Sequence, residues 1–254
     1  AAGREASGRG AWEVDFGIKE SVAEHFEIDE RPLYTFESIS CIRRDHVHIG
    51  VPLMTSGAPG APRRGTLLIM DDRQPDCNHR AEISTGHLKG KDQYLYGNFS
   101  FKMRLAHALE DTQMKLARVT ERVAPNAMSC VALYTNKTAH NEVSLCFRAS
   151  KPKTLDLGFF LGKKTDGDKL HLKSQTMKND MSDRFIDFAI SWSPGKVVFL
   201  IDNEVVWDPD YDIMPWEPMT LRIILRPFNI PSTYQGSAQM AIGSVGYSPY
   251  HPHK

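Results

Sequence analysis

Residues 97–105 read GNFSFKMRL, in which Phe99, Phe101, Met103 and Leu105 alternate with Asn98, Ser100, Lys102 and Arg104. A period of two puts each set on its own face of a strand, so one face of this segment is built for a core and the other for water. The pattern recurs in FIDFAISW, residues 185–192, where Phe185, Asp187, Ala189 and Ser191 oppose Ile186, Phe188, Ile190 and Trp192. GTLLIM at residues 65–70 is a short buried run, and MTLRIILRPF at 219–228 is a further strand. After the turn sequence SPGK, VVFLIDNEVVW folds back on itself at Asp202 and Asn203, residue types that tolerate the left-handed backbone of tight hairpins. Strands at regular spacing with turn chemistry between them predict an all-β fold, a two-sheet antiparallel β-sandwich of jelly-roll type.

Two stretches break the pattern. Residues 56–64, SGAPGAPRR, form a Gly/Pro loop, and residues 109–123, LEDTQMKLARVTERV, are rich in helix formers and precede Pro125. That composition predicts a short inserted helix at the rim of the sandwich. Residues 1–30 read as an N-terminal arm and 31–254 as a single domain, with no internal repeat. The first ten residues are small, polar and basic and lack the apolar core of a signal peptide, so any targeting peptide has been removed.

Composition narrows the partners. The chain carries 31 basic and 31 acidic residues, a balance that favours neither nucleic acid nor an anionic membrane. No apolar run approaches the roughly 18 residues of a membrane span. Cys41, Cys77, Cys130 and Cys146 lack metal-binding spacing, and all disulfide arrangements and the reduced state are open. The triplets Asn98-Phe99-Ser100 and Asn136-Lys137-Thr138 fit glycosylation sequons and favour the secretory pathway or an organelle lumen. His46 and His48 are expected to share a solvated strand face; they lack a third ligand, and the C-terminal HPHK reads as a frayed tail. Asp166 and Asp168 in DGDK lack the rest of a calcium loop and read as a turn. No metal or cofactor is expected.

Residues 140–147, HNEVSLCF, set Glu142, Ser144 and Cys146 on one strand face. Together with AEISTGHLKGKDQYLYGNFSFKMRL (opening at Tyr96-Gly97-Asn98-Phe99), FIDFAISWSPGKVVFLIDNEVV and MPWEPMTLRIILRPF, this segment resembles family 16 glycoside hydrolases, the concanavalin A-like β-jelly-roll glucanases, galactanases and xyloglucan transglycosylases. The resemblance runs from about residue 65 to 250. HNEVSLCF falls where that family has His-Asp-Glu-Ile-Asp-Phe-Glu-Phe or a close variant. It implies that Glu142 stands at the nucleophile position, Ser144 at the helper Asp and Cys146 at the acid/base Glu. Retaining hydrolysis needs both carboxyls, one to attack and one to protonate the leaving oxygen. A serine hydroxyl cannot do the latter, and a thiol near pKa about 8.5 is a poor match.

The resemblance therefore implies a catalytically degenerate member that acts by binding, as a structural or accessory subunit of a larger protein assembly. The alternatives are a lectin-like carbohydrate-binding module, or a divergent glycosidase or transglycosylase with Glu142 as nucleophile. The strand before HNEVSLCF, NAMSCVALYTN, has no tryptophan for a sugar platform, leaving Tyr94, Tyr96, Tyr134, Trp207 and Trp216 as candidate sugar contacts beside Glu142. A turn about Thr138 brings Cys130 opposite Cys146, with the sulfurs within about 6 Å on the groove face. Two reduced, packed thiols are the expected state, with a disulfide as the alternative.

Overall fold

A computed structural model describes residues 10–29, 33–35, 38–53, 61–71, 83–107, 126–135, 140–162, 169–211, 214–228 and 237–252. The elements, in chain order, begin with β1 (Trp12–Asp15), helix α1 (Lys19–His25), β2 (Phe26–Ile28), β3 (Leu33–Thr35), β4 (Ser38–Ile42), a 3-10 turn (Arg44–His46), β5 (Val47–Pro52) and β6 (Arg64–Asp71). They continue with β7 (Ile83–Thr85), β8 (His87–Tyr94), β9 (Gly97–His107), β10 (Ala127–Thr135), β11 (His140–Arg148) and β12 (Thr154–Gly162). The last six are β13 (Lys169–Thr176), β14 (Ile186–Ser193), β15 (Lys196–Ile201), β16 (Glu204–Trp207), β17 (Met219–Pro227) and β18 (Ala238–Ser248).

These strands form two sheets. One runs β16-β15-β14-β9-β18-β6-β7-β4-β3, with β1 added on β18 and β5 on β6; the other runs β13-β12-β11-β10-β17-β8-β2. The pairings are antiparallel except between β4 and β7. The chain is therefore an all-β sandwich, and its core lies between the two inner faces. Phe99, Phe101, Met103 and Leu105 of β9 and Ile186, Phe188, Ile190 and Trp192 of β14 meet Val143, Leu145 and Phe147 of β11, Leu157 and Phe159 of β12, and Leu221, Ile223 and Leu225 of β17, all of them buried. Each such side chain contributes about 1.5–3 kcal/mol of transfer free energy, so the alternation alone decides which face turns inward.

Local chemistry sets the turns. Asp202 and Asn203 both adopt positive φ, 49° and 66°, in the two-residue turn joining β15 to β16. Gly65 lies so close to β18 that an added Cβ would sit 2.3 Å from the Ile242 carbonyl oxygen.

Residues 12–28 join both sheets. β1 pairs with β18 and β2 with β8, while Val14, Phe16, Val22 and Phe26 enter the core. Helix α1, only seven residues long, is too short to show itself by a helical period. The helix expected at 109–123, residues 56–60 of the loop expected at 56–64, and Asp166–Asp168 of the turn expected at DGDK lie outside the described residues, as do His253 and Lys254 of the tail; Lys169 opens β13. The expected histidine pair is corrected: His46 closes the 3-10 turn and is buried, whereas His48 sits in β5, so the two do not share a solvated strand face.

Candidate functional site on the seven-stranded sheet

In β11 the inward residues are Val143, Leu145 and Phe147, so His140, Glu142, Ser144, Cys146 and Arg148 lie on the outer face of the seven-stranded sheet. Register sets their neighbours. Glu142 pairs with Tyr134 of β10 and Phe160 of β12; Ser144 with Ala132 and Gly158; Cys146 with Cys130 and Asp156. Beyond β10, Tyr134 faces Thr220, Ala132 faces Arg222 and Cys130 faces Ile224, all on β17.

At one end of this face, His140 Nε2 lies 3.2 Å from Glu142 Oε2, and the Ser144 hydroxyl also donates to the carboxylate. Burial works against the Glu142 charge, but the bonds from His140 and Ser144 and the charges of His140 and Arg226 outweigh it, so the carboxyl titrates below its ordinary value. Glu142 is thus held as an anion. The His140 ring packs on Phe160 at 4.0 Å and on Tyr134 at 5.2 Å. Arg222 lies over the Tyr134 ring at 5.0 Å and 4.0 Å from the buried Asp29 carboxylate. Burial, ahead of the opposed effects of Arg222 and Glu142, raises the Tyr134 phenol above its usual range.

At the other end, four residues along β11, Cys146 is bonded to Cys130, with an S–S distance of 2.07 Å. The expectation of two reduced thiols is corrected. The register 130↔146 holds both sulfurs on one face, and the 4.2 Å Cα separation brings them within bonding reach. Asp156, the carboxylate across from Cys146, receives bonds from Arg148 Nε at 2.9 Å and Nη2 at 2.6 Å on one oxygen, and from Ser174 Oγ at 2.6 Å on the other. Arg148 also lies 4.4 Å over the Phe228 ring. This end is filled by its own side chains.

Of the sequence-selected aromatics, the structure brings only Tyr134 beside Glu142. Tyr94 is buried in the core against Tyr247 at 4.6 Å and Phe99 at 5.5 Å, so it cannot meet a sugar. Tyr96 occupies a left-handed turn at φ 63°, its ring on Trp192 and its carbonyl accepting from the Tyr247 hydroxyl. Trp207 stacks on Phe199 and Phe159 at the side of the sandwich. Trp216 is 48% exposed and precedes β17 at the end where Glu142 lies, since Thr220 faces Tyr134. Sequence reasoning missed His140, Phe160 and Arg222. Period-two alternation would have found His140 with Glu142 and Arg222 with Thr220, but Phe160 depends on a cross-strand register that single-strand patterning does not contain. Among the described residues, no group of three His, Cys, Asp or Glu side chains is placed to hold a metal ion.

The model of the glycosyl hydrolases family 16 matches residues 63–241, most of the chain. The chain belongs to this family. No curated protein matches it in sequence. Among solved structures, a prokaryotic β-1,3-1,4-glucanase (lichenase) derived from a mouse hindgut metagenome is similar over 95% of this chain and 100% of its own, with a TM-score of 0.70 and 15% identity. The Bacillus licheniformis β-glucanase covers 95% and 99%, with a TM-score of 0.71 and 13% identity. The Crh5 transglycosylase, solved in complex with NAG, covers 96% and 86%, with a TM-score of 0.64 and 15% identity. At such identities the likeness carries the jelly-roll fold.

Proposed function

We propose that this family 16 domain does not hydrolyse glycosides and serves as a structural or accessory subunit of a larger protein assembly. One observation carries the first half. The residue at the acid/base position, Cys146, is half of a cystine, and a cystine sulfur has no proton to give a leaving oxygen. Asp156, the carboxylate nearest in register, is engaged on both oxygens by groups that donate to it. Glu142 alone, held anionic, supplies at most half of the two-carboxyl chemistry.

The second half rests on the side of the sandwich. β13 ends one sheet and β16 ends the other, and Lys173 Nζ donates to the Val206 carbonyl at 3.0 Å between them. Leu172 is 60% exposed, Val205 59% and Tyr211 42% along these two edges. Two strand edges bearing exposed apolar side chains suit protein contact better than solvent. A carbohydrate-binding reading is favoured by one observation, the half-exposed Tyr134, His140 and Phe160 around Glu142.

The test is turnover of β-1,3- and β-1,4-glucans, xyloglucan, agar and carrageenan. No activity is expected from the wild type; hydrolysis abolished by Glu142→Gln defeats the proposal. Combining Ser144→Asp, Cys146→Glu and Cys130→Ala restores the carboxyls without an odd thiol, and measures whether the face still admits substrate. A glycan array paired with native mass spectrometry separates a lectin-like monomer from a subunit recovered within a complex.

A further inference from the structure

The outer face of the eleven-stranded sheet carries a feature independent of Glu142 and its surroundings. Phe99 of β9 is fully buried, and strand alternation places Asn98 and Ser100 together on the exposed face. Asn98-Phe99-Ser100 is an acceptor triplet for N-glycan transfer, and such triplets also arise by chance. Two observations set this one apart.

The first is the space around it. Asn98 lies between Ser191 of β14 and Ser248 of β18, while Ser100 lies between Ala189 and Gly246. No long side chain stands beside either residue in register. A Cβ on Gly246 would come 2.6 Å from the Ser100 hydroxyl, so the smallest residue sits beside the sequon oxygen. The second is the Cys130–Cys146 bond, part-exposed on the opposite sheet. Disulfides persist in oxidising compartments, and in eukaryotic cells the endoplasmic reticulum lumen is both oxidising and the place where acceptor asparagines meet their donor.

We infer that Asn98 is an N-glycan acceptor, modified on the sheet opposite the one that carries Glu142. In the transfer, the Asn98 side-chain nitrogen bonds to the anomeric carbon of a lipid-diphosphate oligosaccharide. The anomeric C–O bond breaks, its electron pair leaves with the diphosphate, and an amide proton passes to the medium. The chain is large enough to carry such a branch without loss of packing, because the modified atom already faces water.

The experiment secretes the full chain from a eukaryotic host in a Thr138→Ala background, which silences the triplet at Asn136. Peptide mapping before and after peptide-N-glycosidase, which converts a glycosylated asparagine to aspartate, reads position 98 directly. The expected result is a glycan at Asn98 in the secreted protein, retained in Ser100→Thr and lost completely in Ser100→Ala and Asn98→Gln. Ser100→Ala reports the same loss should Asn98→Gln fail to leave the cell. A secreted chain with Cys130 and Cys146 bonded and Asn98 unmodified overturns the inference. So does a secreted chain whose two sulfurs remain reduced, because the compartment argument then fails.

Discussion

Lowering the pH from 7.5 to 5.0 is expected to destabilise the fold through His87 and His107. Both are buried, and burial lowers each to about 3. For His87, the Asp29 charge and a backbone bond at Leu225 pull the other way without overcoming desolvation; for His107, the charge of Arg104 adds to it. The unfolded imidazole titrates near about 6.5, so below that value the unfolded chain binds more protons than the folded one. Stability is therefore complete above about 6.5 and falls continuously toward about 3. At pH 5 the deficit is about 1.5 units per histidine, or about 2 kcal/mol each and about 4 kcal/mol for the pair. Against the roughly 5–15 kcal/mol typical of a domain, that is a large fraction. His48, lowered mainly by burial, adds in the same direction. Glu142, lowered, holds its contribution until the pH falls below the ordinary carboxylate range and leaves this window undisturbed. Urea unfolding followed by tryptophan fluorescence at both pH values, at constant ionic strength, measures the difference. His107→Gln keeps polar atoms near the Leu105 carbonyl and Gln239 while removing the titration, so it should remove about half of the loss assigned to the pair. Equal wild-type stability at pH 7.5 and 5.0, or an unchanged pH slope in His107→Gln, refutes the reasoning.

Other perturbations reach different parts of the structure. Cys130→Ala/Cys146→Ala opens a link spanning 16 residues of sequence and should cost about 3 kcal/mol by the loop-entropy estimate, read as a lower urea midpoint. Gly65→Ala forces a methyl against the Ile242 carbonyl and should cost about 1–3 kcal/mol in the same assay, a strain with no counterpart at Gly10, where an added Cβ meets nothing. If the Glu142 end binds glycan, Tyr134→Ala should weaken binding on the array about tenfold or more, and Trp207→Ala, whose ring stacks on Phe199 and Phe159, should act on stability.

Much of this architecture is readable from strand periodicity. The alternation of β9 and β14 names the buried faces residue by residue, and a turn about Thr138 is enough to place Cys130 opposite Cys146. Periodicity fails where burial comes from elements it does not describe. Tyr94 closes a strand whose pairing with β17 is irregular between Thr220 and Arg222, so parity counted along β8 does not say which way its ring turns. His46 falls in a three-residue turn that resembles the start of a strand in sequence. The two cysteines were expected to be reduced and are bonded, because strand spacing fixes their neighbourhood and does not fix their oxidation state.

The Cys130–Cys146 bond also bears on how the chain can change over generations. Two residues on different strands now depend on each other, so replacing Cys146 by glutamate alone strands Cys130 as a lone thiol beside the new carboxylate. Replacing Cys130 first leaves Cys146 as the odd sulfur. Either order passes through a form that has lost its covalent tie, and neither changes Ser144. Three acids on β11 would take two substitutions there, Ser144→Asp and Cys146→Glu, and a third on β10 to remove the thiol left at Cys130, so the change at position 146 comes at the expense of the covalent tie. The bond thus couples the two strands in sequence as well as in space, since a change at either cysteine leaves the other without its partner.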